Sequence, residues 1–346
     1  MTALNSTPAE PARALKRGLG PRSERQGQLV RLIAKRLLQI PLVLLVVSIL
    51  TYWLIQVVPG DPGRETLGQY ATAAQVHAWD LQNGLEGSLL HRYLNWLHGF
   101  VTGHWGQSFV FSSQNRGLVL GHLGNSAFLG IFAFILMIPC AIVLGSVQAY
   151  KEGRAGDRSI TISLMSLSAI PSFVLAIILL LIFAVILHLV PVVASSGATG
   201  SLIDRLHVTV VPAAVLALSY LAVTTRMVRT GMLGAIGSQY HRTAVLKGLP
   251  AGEIVRRHVL RNAIVPTLSL LGMYLGTLLC GDAVVETLFN YPGLGALMVT
   301  AASHKDVVLL SDGVVITGAV MLLALLAADV GLMLVDPRIR FDNATS

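Results

Sequence analysis

Ionisable side chains are scarce in this chain of 346 residues: Asp, Glu, Lys and Arg together make up 12% of it, about half the share of an ordinary soluble domain. Cysteine is scarcer, with only Cys140 and Cys280, both inside apolar runs. That excludes a disulfide framework and a thiolate metal site, and leaves them as small buried hydrophobes. The signatures of hydrolytic chemistry are missing as well. A phosphate-binding loop needs Gly-Lys followed by Ser or Thr, whereas the five lysines here are followed by Arg, Arg, Glu, Gly and Asp. No Glu follows a His, which removes the zinc-protease pattern. The Gly-x-Ser starts at Gly106 and Gly124 lack the second glycine of a nucleophile elbow. No enzyme site is written in this chain.

Apolar residues are present instead, at 54% of the sequence. They gather in runs at Leu37 to Val58, Phe128 to Val147, Ile160 to Val190, Val208 to Val223, Ala263 to Cys280 and Val314 to Val335. Each is near the roughly 20 residues that cross a bilayer as a helix, and the first is too long for a cleaved leader. The fold class is therefore an all-α integral membrane protein with six transmembrane helices over residues 37-335. A basic tail, 1-36, rich in Pro, Arg, Ser and Gly, is expected to be disordered, and 336-346 forms a C-terminal tail. Lys and Arg divide unevenly: twenty fall in 1-36, 149-159, 225-263 and beyond 335, against five elsewhere. By the positive-inside rule both termini and the 225-263 loop are expected to be cytoplasmic, and the 59-125 loop extracytoplasmic. The formal net charge of +8 is thus mostly topology, which weakens a nucleic-acid reading.

Few groups inside the runs carry chemistry. Asp329 is the one carboxylate placed there, about 10 Å from the Asp336 end of its helix at 1.5 Å per residue. That depth favours a structural hydrogen bond or ion pair over an ion relay. Pro41, Pro139, Pro171 and Pro212 predict kinks or simply reflect how common Pro is in membrane helices. The run from Ile160 is long and expected to tilt or extend beyond the bilayer. Gly272 and Gly276 form a Gly-x-x-x-Gly pair suited to close helix packing. In the 59-125 loop, Trp79, Tyr93, Trp96 and Trp105 could form a docking surface or pack on themselves.

The basic stretch Gln239 to Pro266 reads as two helices. Gly237 to Lys247 forms the first, stopped at Gly248, which takes the left-handed C-cap. The second starts near Pro250, with Glu253 in its first turn and Arg256, Arg257 and Arg261 toward its end, as the helix dipole favours. Val255, Val259 and Ala263 align on one side at four-residue spacing.

This stretch resembles the loop by which permeases of ATP-binding-cassette importers dock on their ATPases, in the oligopeptide, dipeptide and nickel branch. Tyr240, Arg242, Thr243, Ala244, Lys247, Gly248 and Leu249 match the branch's Y-x-R-T-A-x-x-K-G-L, and His258, Asn262 and Pro266 fall in its later H-x-L-R-N-A-x-x-P. Other motifs follow in order: Pro59, Gly60, Asp61 and Pro62; Pro171 in Pro-Ser-Phe; Glu286, Pro292, Gly293 and Gly295 in "VETLFNYPGLGALM"; and Asp336, Pro337 and Arg338 near the end, with Asp329 before them. The chain departs from the branch at Leu325, where Asn is usual. The resemblance implies a type I importer permease fold in a bacterial plasma membrane and no cofactor on this chain. ATP and Mg would sit on two partner ATPases, with a second, similar permease and an extracytoplasmic solute-binding protein completing the assembly. Its cargo would be peptides, or nickel or another metal chelate, or opines. A stand-alone secondary carrier or channel is the reading from another class, and a membrane-anchored nucleic-acid binder a third.

Overall fold

Helix α1 (Pro21–Val57) starts well before the apolar run it was expected to match. The computed structural model describes residues 21-57, 60-68, 70-197, 200-263 and 265-335. Residues 21-36, expected to be disordered, are therefore helical. Pro21 suits a first helical turn, and after it the only breaker before Pro41 is Gly27, so the backbone ladder continues where hydropathy stops. Residues 1-20, Pro59 and the 336-346 tail with Asp336, Pro337 and Arg338 lie outside the described residues.

The loop after α1 is not loose chain. It folds as α2 (Pro62–Leu67), α3 (Ala73–Gln82), α4 (Leu89–Thr102) and a two-stranded hairpin, β1 (Gln107–Ser108) against β2 (Ser113–Gln114). Its caps are local: the Asp61 carboxylate accepts from the N–H groups of Gly63 and Arg64, and Thr72 with Gln75 closes a capping box. Tyr93 and Trp96 of α4 are buried rather than displayed. They stack between Tyr52 of α1 and Phe100, which in turn lies 4.9 Å from the Trp105 ring. Trp96 Nε1 donates to Asp312 Oδ1 at 2.9 Å, and Asn115 Nδ2 donates to Asp312 Oδ2 at 2.9 Å. The self-packed alternative describes most of this aromatic set.

Among the described residues five helices are long and apolar enough to span a bilayer, or six if a bent pair counts as one span. They include α1, α5 (Asn115–Tyr150) and α8 (Leu202–Ile236). α5 and α8 run parallel, Phe128 beside Arg205 at one end and Gly145 against Val228 toward the other. The bent pair is α6 (Ala155–Ser168) and α7 (Ser172–Leu180), the latter continuing as a π-turn to Ile186, with 98° between the two arms. A run that tilts or extends beyond the bilayer was expected here. Pro171 has no N–H to return to Leu167 and starts the second arm as its N-cap. Pro41, Pro139 and Pro212 stay inside continuous helices.

The chain continues through α9 (Gln239–Leu246), α10 (Ala251–Glu253), a π-turn (Ile254–Val259), α11 (Leu260–Ala263) and α12 (Val265–Leu279). Two short helices, α13 (Ala283–Leu288) and α14 (Leu294–Ser303), then precede α15 (Val307–Val335). α15 starts seven residues before the expected span, which brings the fully buried Asp312 into it. With Glu286 inside the span-length stretch Leu270–Leu288, the expectation that Asp329 is essentially the only carboxylate in the spans is corrected. Asp329 itself accepts from Arg36 of α1 at 2.9 Å, joining two helices far apart in sequence.

Gly272 and Gly276 seat α12 on α15. A Cβ on Gly272 would overlap Ala328, whereas one on Gly276 would stand 2.8 Å from the movable Met321 Sδ. Overpacking costs about 1–3 kcal/mol, and the rigid neighbour should cost more. Gly272→Val is expected to lower the detergent-solubilised melting temperature further than Gly276→Val. Equal melting temperatures for both variants and the parent would contradict this packing account.

Candidate functional site

Two constructions gather the motif residues, one on a surface and one sealed inside. On the surface, Ser238 caps α9, its Oγ accepting from His241 N. The helix ends in a complete Schellman motif: Leu249 N–H to Ala244 O at 3.4 Å and Gly248 N–H to Val245 O at 2.9 Å, with Gly248 at φ +71°. Ala244 faces inward and joins Ala149, Val228, Met232, Ala235, Ile254, Val259 and Ala263 in an apolar cluster under the loop. Gly231 lets α8 come so near that a Cβ there would meet the Ala263 carbonyl.

The outward face of α9 has no cover among the described residues. Leu246 is 87% exposed, Val245 52% and Tyr240 41%, beside exposed Arg242, Thr243, Lys247 and Gly248, while Leu249 is half-buried. The second helix differs from the expected spacing. Its backbone widens to a π-turn, so Ile254 and Val259, five residues apart, are the buried pair and Val255 is only half-buried. His258, Asn262 and Pro266 lie on this helical backbone, with side chains outside the described part. The loop is braced by an ion pair absent from the sequence reading: Arg229 Nε and Nη2 hold Asp157 Oδ1 and Oδ2 at 3.0 and 2.8 Å. Asp157 sits in the first turn of α6, where a carboxylate also suits the helix dipole.

The sealed construction surrounds Glu286, fully buried in α13. α14 starts at Gly293, which has no side chain to cap it. Glu286 Oε2 accepts from Ala296 N at 3.0 Å, and Ser126 Oγ of α5 accepts from Leu294 N at 2.7 Å while donating to Glu286 Oε1 at 2.5 Å. A glutamate and a serine from elsewhere thus stand in for the missing cap. Gly281, Gly293 and Gly295 wall the carboxylate closely, and a Cβ at Gly293 would fall on it. Asn125 Nδ2 donates to Pro292 O at 2.8 Å, and Tyr291 Oη donates to Asn125 O at 2.9 Å.

Glu286, Pro292, Gly293 and Gly295 therefore belong to one unit, and Ser126 and Asn125 are the partners the sequence reading missed. Ser126 had surfaced only as the serine of Gly124-Asn-Ser, set aside as a nucleophile. The unit holds a broken helix in place, and both Glu286 oxygens are committed to it. Gly60, Asp61 and Pro62 form the α2 cap, Pro171 the bend, and Asp329 the tie to α1; none of these joins either construction. Among the described residues no group of three or more His, Cys, Asp or Glu could hold a metal.

Glu286→Leu leaves the Ser126 hydroxyl and the Ala296 N–H without an acceptor, about 1–3 kcal/mol each. Gly293→Ala forces the carboxylate out of its seat. Both are expected to reduce the recovery of monodisperse protein severalfold, with Glu286→Gln less affected. Gly331→Ala, where a Cβ meets nothing within 4 Å, serves as the neutral comparison; recovery of Gly293→Ala at its level would refute the cage.

Residues 141–341 match the family described as "Binding-protein-dependent transport system inner membrane component", and residues 29–114 match the N-terminal region described for the same membrane components. The oligopeptide transport system permease protein AppB of Bacillus subtilis is 31% identical over 90% of this chain and 99% of its own length. The di/tripeptide transport system permease protein DppB of Pseudomonas aeruginosa is 31% identical over 85% of this chain and 94% of its own. The oligopeptide transport system permease protein OppB of Escherichia coli K12 is 30% identical over 90% and 100%. With more than half of the chain matched by the family and these relatives aligned along nearly its whole length, the chain belongs to the binding-protein-dependent transport system inner membrane components, as a multi-pass bacterial permease subunit of the oligopeptide and dipeptide branch.

Proposed function

We propose that this subunit forms half of the pathway of an ATP-driven peptide importer, pairs with a second permease, and receives cargo from a solute-binding protein. Two cytoplasmic ATPases would bind and hydrolyse Mg-ATP, since no phosphate-binding loop is present here. The observation that carries the reading is the α9 face. It presents Leu246, Val245 and Tyr240 to solvent at the basic end of the bundle, while Ala244 on the opposite face anchors it to α8. An exposed apolar helix face rimmed by polar residues suits an apolar groove on a partner.

The peptide cargo is supported by the named activities of the relatives. The excess of Lys and Arg in 1-36, 149-159 and 225-263 supports a cytoplasmic position for the α9 end and for both termini. Rearrangement of the two ATPases on nucleotide binding would move α9, and the Arg229–Asp157 pair would carry that motion from α8 into α6. Such a shift needs contacts that differ between the two ATPase arrangements.

Leu246→Asp places a charge on the exposed face, and Gly248→Val forces a β-branched side chain into left-handed backbone at roughly 1–2 kcal/mol. Both variants are expected to reach the membrane at parental levels and to co-purify with the ATPases at least about tenfold less, the equivalent of 1.4 kcal/mol. Parental co-purification and coupled uptake in both variants would exclude α9 as the docking element.

A further inference from the structure

The start of α8 carries a cation with no carboxylate partner among the described residues. Arg205 lies across the Phe128 ring, its Cζ 4.2 Å from the centroid, and is half-buried between α5 and α8. Its Nη2 reaches Asn125 Oδ1 at 3.5 Å, a long contact, and it lies near the Tyr291 hydroxyl. Its Nε is buried with no acceptor among the described residues. The carboxylates nearby are committed: Asp204 Oδ2 accepts from the backbone N–H and hydroxyl of Ser201, and Glu286 is closed in its glycine cage.

A guanidinium partly removed from water without a counter-ion is costly. One seated over an aromatic face keeps its N–H groups for a carboxylate. The neighbours Asn125 and Tyr291 are neutral, so they orient the group without cancelling its charge. Arg205 also stands at the end of the bundle opposite α9, because α8 runs from residue 202 to 236 and α9 follows directly.

We infer that Arg205, set on Phe128 beside Asn125 and Tyr291, is a recognition point for a carboxylate of the cargo, namely the C-terminal carboxylate of a peptide entering the pathway. The inference rests on the peptide-importer reading and deepens it. A charge-assisted hydrogen bond is worth roughly 1.5–3 kcal/mol, which sets a tenfold or greater discrimination.

The test uses the whole importer, with binding protein, both permeases and ATPases, in proteoliposomes. Uptake of a labelled tripeptide is compared with that of its C-terminal amide, after the binding protein's own affinity for each has been measured. In the parent, translocation per bound peptide should favour the free acid. In Arg205→Gln, uptake of the acid should fall about tenfold while uptake of the amide stays within about twofold of the parent, and Arg205→Lys should restore part of the acid preference. An equal fall for both peptides would mean that Arg205 serves packing or a carboxylate of the second permease, and would overturn the proposal; no change in either would do the same. Should Arg205→Gln fail to assemble, the parental comparison still decides, since equal translocation of bound acid and bound amide overturns it. A parent complex that moves neither peptide would instead overturn the cargo reading, and this inference with it.

Discussion

A helix that begins in a packed interior has only protein to receive its first N–H groups. α14 begins that way, at a glycine, and the final third of the chain is arranged around the remedy. Glu286 and Ser126 supply the acceptors. The glycines at 281, 293 and 295 leave room for a carboxylate, and Tyr291 and Asn125 tie the intervening turn to α5. Because the cap comes from two other helices, α5, α13 and α14 hold one another in register; none can shift without leaving a buried polar group unpaired. The same logic recurs at Asp312, where Trp96 of the folded loop and Asn115 at the start of α5 meet the start of α15.

Hydropathy made the spans legible, but it marked where helices are apolar rather than where they end. α1 and α15 both extend past their apolar runs, since backbone hydrogen bonding does not stop at a change of polarity. The stop at Gly248 was readable because a Schellman motif is local chemistry: a helix, a left-handed glycine and a proline two residues on. Pro171 looked the same as Pro41, Pro139 and Pro212 in sequence. Only tertiary packing decides which proline a helix absorbs and which breaks it.

The Glu286 cage was half legible. Glu286, Pro292, Gly293 and Gly295 stand together in one motif, but Ser126 lies 160 residues away and carries no mark that would pair it with Glu286. The π-turn at Ile254–Val259 was invisible for another reason. A four-residue spacing of Val255, Val259 and Ala263 fits an ordinary helix, and nothing in those residues announces that the backbone will widen by one residue to bury Ile254 instead.

The bend between α6 and α7 has a consequence for the surrounding lipid. Fourteen residues of α6 rise only about 21 Å at 1.5 Å each, short of the roughly 30 Å hydrocarbon thickness. With 98° between the arms, the next segment travels sideways more than downward, and its exposed Phe173, Ile177, Ile178 and Leu181 face outward. This apolar flank is a ledge instead of a wall. Where that flank faces lipid, acyl chains above and below the bend would have to differ in length or tilt to fill the space.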